Sequence, residues 1–119
     1  MLGFPYELSV KMIETIGVPY HLYSFGTDKD IDRLESLLIT QAKLGRKIQS
    51  VWCECPNNPV LRTPDMQRVR NLANKYDFLF VVDDTIGSSA NIDVTDVADI
   101  MVTSLTKNFS GYADVLGGW

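Results

Sequence analysis

Five consecutive apolar residues, Phe78-Leu79-Phe80-Val81-Val82, end abruptly in Asp83-Asp84-Thr85. An unbroken apolar run of this length, without the alternation of a half-buried strand, predicts a strand covered on both faces, as in a parallel sheet with helices above and below. The flanking segments agree. Thr63-Pro64-Asp65 offers a cap, a proline at the first helical position and an acid in the first turn, and Met66, Val69, Ala73 and Tyr76 then form an apolar helical face. Ile100-Met101-Val102 is a second buried-strand pattern, Ile48 to Glu54 is rich in strand formers, and Tyr20 to Phe25 reads as a short strand. These strands, near 20–25, 48–54, 78–83 and 100–103, are expected in one mostly parallel sheet of an α/β three-layer arrangement.

Two more helices precede the central strand. Leu8, Met12 and Ile16 recur at intervals of four before Gly17 and Pro19, which predicts a helix from about Glu7 with an orthodox exit. Ile31, Leu34, Leu38 and Ala42 mark a second helix, capped by Asp28 or Asp30 and ended by Gly45. Val115-Leu116 offers a last strand. No repeat, low-complexity stretch or linker interrupts the 119 residues, so one core is the most that the chain builds.

Charge and composition narrow the partners. The net charge is −4, and the basic residues are scattered or in short groups such as Arg68 and Arg70, so no basic stripe is available to nucleic acid. No apolar run approaches the roughly 20 residues of a membrane span. The opening Met1-Leu2-Gly3-Phe4-Pro5-Tyr6-Glu7 lacks the n-region and h-region of a signal peptide, which makes the cytoplasm the expected compartment. Cys53 and Cys55, at i and i+2, fall on one face of a strand and are expected as buried reduced thiols. With His21 they fall short of four zinc ligands, and His21, between Tyr20 and Leu22, reads as a core or edge histidine. Asn108-Phe109-Ser110 matches a glycosylation sequon, a pattern too short to carry weight.

Ligands of open α/β sheets bind beyond the carboxyl ends of the strands. Three such ends are loaded here: Asn57-Asn58-Pro59 after the strand at 48–54, Asp83-Asp84-Thr85 after 78–82, and Ser104-Leu105-Thr106-Lys107 after 100–102. Each motif alone is ordinary turn or cap chemistry. Together they bring an amine, hydroxyls, a carboxylate and an amide to one edge of the sheet. That is the set needed by pyridoxal 5'-phosphate (PLP), whose aldehyde condenses with a lysine, whose phosphate accepts from hydroxyls and whose ring nitrogen pairs with a buried carboxylate.

Here the sequence resembles the Cys/Met-metabolism PLP enzymes, which include cystathionine γ-synthase, cystathionine lyases and methionine γ-lyase. Glu54-Cys55-Pro56-Asn57-Asn58-Pro59 is similar to the family's Glu-Ser-Pro-x-Asn-Pro. Val82-Asp83-Asp84-Thr85 resembles Val-Asp-Asn-Thr, and Ser104-Leu105-Thr106-Lys107 with Gly111, Asp114 and Gly117-Gly118 resembles Ser-x-Thr-Lys with its trailing Gly-x-x-Asp and Gly-Gly. The resemblance implies a fold type I transferase large domain. It implies that Lys107 bonds the cofactor and shuttles protons, Asp83 pairs with the ring nitrogen, Ser104 and Thr106 bind the phosphate, Asn58 lies near the phenolic oxygen and the substrate, and Thr85 supports the ring.

Asp84 for Asn, Cys55 for Ser and Tyr112-Ala113 for His-Ser depart from the common pattern. The variant motifs look most like the fungal cystathionine γ-synthase branch, which joins an activated homoserine ester to cysteine; lyase-like elimination is the alternative. Family members also carry an upstream phosphate loop, a ring-stacking aromatic and a downstream small domain whose arginine grips the substrate carboxylate, none of which is recognisable here. The chain is therefore expected as residues 1–119 of a partial large domain with little activity alone, or as a non-catalytic piece that self-associates or pairs with a full-length relative. A nucleotide-binding module is a third class, for which neither Gly-x-Gly-x-x-Gly nor a Walker A motif is present.

Overall fold

A computed structural model describes residues 1–119. Three strands, β1 (Ser50–Glu54), β2 (Leu79–Asp83) and β3 (Ile100–Val102), form one parallel sheet in the order β1-β2-β3. The central strand is the apolar run from the sequence: Phe80, Val81 and Val82 are at most 2% exposed. On β1, Val51 and Cys53 are buried while Trp52 turns outward, the alternation of a pleated strand with one covered face.

Helices α2 (Asp28–Lys43) and α3 (Met66–Tyr76) supply that cover. Ile31, Leu34 and Leu38 from α2 and Val69, Leu72 and Ala73 from α3 share one apolar core with Val51, Cys53, Phe80 and Val82. Each fully buried aliphatic side chain of this kind contributes about 1.5–3 kcal/mol. Cys53 and Cys55 are both free and buried, and burial pushes the Cys53 thiol well above its ordinary range, so it stays protonated. No helix is long and apolar enough to cross a membrane.

Several expectations need correction. The segment 20–25 is not a strand of the sheet. Only Tyr23 pairs, through a single parallel bridge to Leu2, while the Leu2 N–H donates to the Trp52 carbonyl at 2.8 Å on the outer edge of β1. Gly3 at φ 89° then turns the chain and stops that pairing from extending. Val115-Leu116 is not a strand either. Pairing falls instead on Gly117–Trp119, antiparallel to Thr103–Leu105, and Leu116 stays 91% exposed.

Helix starts also shift. Thr27 caps α2 by accepting from the Asp30 N–H, so neither Asp28 nor Asp30 is the cap. The Asp30 carboxylate reaches back to the Phe25 N–H at 3.0 Å instead. Asp65, whose carboxylate accepts from the Arg68 N–H at 2.9 Å, caps α3 in place of Thr63. A charged acceptor holds the first-turn donors more strongly than a hydroxyl, which delays the helix to Met66. Helix α1 (Glu7–Thr15) forms as expected, yet it buries none of its residues: Leu8 and Met12, and Ile16 at its C-cap, are all more than half exposed. His21 is exposed and lies in no core.

Candidate active site at the strand ends

Parallel pairing in register brings the C-terminal ends of β1, β2 and β3 side by side, with Glu54 opposite Asp83 and Asp83 opposite Val102. The loops leaving the three strands therefore meet at one edge of the sheet. Thr85 ties two of these ends together. Its N–H donates to Asp83 Oδ1 at 2.9 Å, its Oγ1 accepts from the Ser104 N–H at 2.9 Å, and its carbonyl accepts from Asn108 Nδ2 at 3.1 Å. Asn108 Nδ2 also donates to Thr103 Oγ1 at 2.7 Å. The chain after β3 then winds into a π-helical turn, Thr106–Ser110, whose second residue is Lys107. Such turns occur frequently at functional sites.

A cavity of about 390 Å³ opens between these loops. Asn58, Asp83, Thr85, Ser104 and Lys107 line it, five of the six residues singled out from the sequence. Thr106 is not among the lining residues. It is buried, and its Oγ1 accepts from the Gly117 N–H at 3.3 Å, which ties the lysine turn to the chain's last pairing. Asp83 is half-buried at the cavity wall, whereas Asp84 is fully buried and neither of its carboxylate oxygens has a hydrogen-bond partner.

Sequence reasoning missed three participants. Tyr6, the residue that caps α1 at its N-terminus, lines the cavity, an aromatic residue that sequence reasoning did not connect with the site. Glu54 lines it as well, and its position at the end of a strand was the available signal. Burial raises the Glu54 carboxyl, the Asp83 charge adds to that, and backbone N–H groups of Tyr6 and Asn58 oppose it. Asn108 gave no signal, because its two acceptors lie on segments that only the fold brings near. Lys107 is the only cation lining the cavity, which Glu54 and Asp83 also line; no arginine is there.

Over residues 7–119 the chain matches the family described as Cys/Met metabolism PLP-dependent enzyme. The chain belongs to that family. Among its relatives, a cystathionine gamma-synthase-like enzyme of Amanita muscaria is 48% identical and an alanine racemase of Aspergillus violaceofuscus is 46% identical, each over 98% of the chain. The chain spans about a fifth of the length of these curated relatives, 20% in both cases. The structure of cystathionine gamma synthase from Xanthomonas oryzae, in complex with aminoacrylate and cysteine, superposes with a TM-score of 0.73 at 27% identity, covering 92% of this chain and 27% of that one. The fold is accordingly the PLP-dependent fold type I, represented here by its parallel sheet and flanking helices.

Proposed function

We propose that the chain is the lysine-bearing part of a large domain that holds PLP, and that its ancestral reaction is γ-replacement on an activated homoserine by cysteine, giving cystathionine. The observation that carries this reading is the convergence of Lys107, Asp83, Asn58, Ser104 and Thr85, from three strand ends, on one cavity that Tyr6 also lines. The donor set fits the group: an amine, a carboxylate, hydroxyls, an amide and an aromatic face. When bound, PLP supplies an aldehyde for the amine and a protonated ring that draws electrons from the substrate Cα.

The roles of the chain's own residues follow from their chemistry. Lys107 Nζ would hold the cofactor's aldehyde carbon and would serve as the base for the proton at substrate Cα. Asp83, steadied by the Thr85 N–H, keeps a proton on the ring nitrogen. The Tyr6 ring offers a face for stacking. Ser104, with the hydroxyl of Thr106 behind it, donates toward the phosphate, and the Asn58 amide serves the phenolic oxygen and the substrate. The cavity has no guanidinium to anchor a substrate carboxylate, so we infer slow or no turnover by the chain alone. The reading places the parent reaction in cytoplasmic amino-acid biosynthesis, on the route to methionine.

The 46% identity to an alanine racemase supports Cα proton movement as the shared first step, since racemisation, elimination and γ-replacement all begin with it. Exposed apolar side chains on α1 favour a second reading, a non-catalytic piece that pairs with a full-length relative. Titration of the chain with PLP tests the first reading. A saturable absorbance band of lysine-bound cofactor, lost in Lys107→Ala, is the expected result. Equal, nonsaturable reaction of both proteins would overturn it.

A further inference from the structure

Glu54 spends both carboxylate oxygens on the backbone of two different walls of the cavity. Oε1 accepts from the N–H of Tyr6, 48 positions away in sequence, at 2.5 Å, and Oε2 accepts from the N–H of Asn58 at 3.3 Å. Neither N–H makes a backbone hydrogen bond. The Tyr6 N–H lies at the entrance to α1, a helix that buries no side chain and so has little packing to fix where it begins. The Asn58 N–H lies in the loop after β1. Leu2 already ties the first segment to β1, and the second continues from β1; the charge-assisted bonds from one carboxylate add the tie between the two at the end of the sheet.

We propose that Glu54 is a positioning residue, a clamp that holds the Tyr6 and Asn58 walls at a fixed spacing across the cavity that faces Lys107. What the cavity holds rests on the PLP reading; the clamp itself rests on the two bonds. It works only with an ionised carboxylate, because a protonated one presents an O–H to one of two N–H donors and loses a wall. The charged and titratable groups around Glu54 are Asp83, opposite it on β2, Lys107 and Tyr6 across the cavity, and the Cys53 thiol on its own strand. Burial first, and Asp83 second, favour protonation. The clamp therefore opens as pH falls, at a midpoint above that of a free glutamate.

The test is amide NMR on the full chain, wild type and Glu54→Gln, with PLP titrations alongside. In the wild type, the Tyr6 and Asn58 amide shifts are expected to move together through one midpoint above the ordinary glutamate range, and Asp83→Asn to lower that midpoint. In Glu54→Gln both shifts should be flat, exchange of the two amides should speed up about tenfold, and PLP affinity should fall about tenfold, the loss of one charge-assisted bond. The wild-type titration needs no variant, so a Gln protein that failed to fold would leave the amide result standing. Amides that titrate independently of each other overturn the clamp, as does unchanged PLP affinity in Glu54→Gln beside a wild type that binds. If the wild type binds no PLP while both amides follow Glu54, the cofactor reading falls and the clamp stands.

Discussion

Asp83 and Asp84 are neighbours in sequence with opposite fates. Side chains alternate at the end of a strand, so one carboxylate reaches the cavity and the other enters the interior. Asp84 is fully buried with both oxygens unpartnered, although its backbone is satisfied: its N–H donates to the Val102 carbonyl and its carbonyl accepts from Ser88. An unpaired carboxylate taken out of water costs several kcal/mol, more than a neutral amide of the same shape. Asp84→Asn is accordingly expected to stabilise the chain by about 1–3 kcal/mol, read as a higher urea midpoint at neutral pH. A lower midpoint would mean that the charge is compensated. Close by, Gly87 has no room for a side chain, since a Cβ there would lie 2.5 Å from the Cys55 carbonyl oxygen and 2.8 Å from Ile92 Cδ1. This contact seats the segment after β2 against the one after β1.

Asp99, immediately before β3, adds a polar tie to the ladder and apolar packing that join β2, β3 and α3. Its N–H donates to the Phe80 carbonyl at 2.8 Å, and its Oδ2 accepts from the Phe80 N–H at 2.7 Å and pairs with Arg70 Nη1 at 2.9 Å. Arg70 in turn donates to the Val97 carbonyl at 3.2 Å. The Phe80 N–H, and then Arg70, hold the Asp99 carboxyl below its ordinary value of 3.8. A lowered acid stabilises the fold at pH values above its unfolded pKa and loses that contribution as pH falls through the folded one. Asp99→Asn should thus cost about 1 kcal/mol at pH 7, at the modest end because the side chain is a third exposed. The cost should shrink below pH 3.8, where the wild-type carboxyl protonates as well. Urea unfolding of both proteins at the two pH values measures it; an equal cost at both would rule out the charge as its source.

The molecule as a whole is more extended than a domain of its length. Its radius of gyration is 14.5 Å, with extents of 48 × 31 × 23 Å, where a compact chain of this size has about 13.5 Å. Only 22 of 119 residues are buried, while Leu8 and Met12 on α1, Ile16 at its C-cap, and Phe109, Tyr112, Leu116 and Trp119 near the end all face solvent. Apolar surface on this scale drives association. Sedimentation velocity across a range of concentrations is expected to show reversible self-association. A single monomeric species at every concentration would contradict it.

Periodicity and punctuation alone were enough to read β1, β2, α2 and α3, because each carries an apolar pattern whose spacing matches its own backbone repeat, and a buried element has little freedom to violate that pattern; β3 was read as a buried strand and is a strand, but none of its residues is buried and Ile100 is 43% exposed. The same is true of the residues after each strand, since parallel strands must end at one edge and their loops must meet there. The pattern at 20–25 was as strand-like as the one at 100–102, yet only the latter found a free edge of β2; pairing belongs to the partner as much as to the strand. Tyr6, Glu54 and Asn108 became part of the site, and Thr106 withdrew beneath it, through contacts between segments distant in sequence. No local pattern encodes such contacts, because a carboxylate or an amide has the same composition wherever it points, and only the packed chain decides which donor it faces.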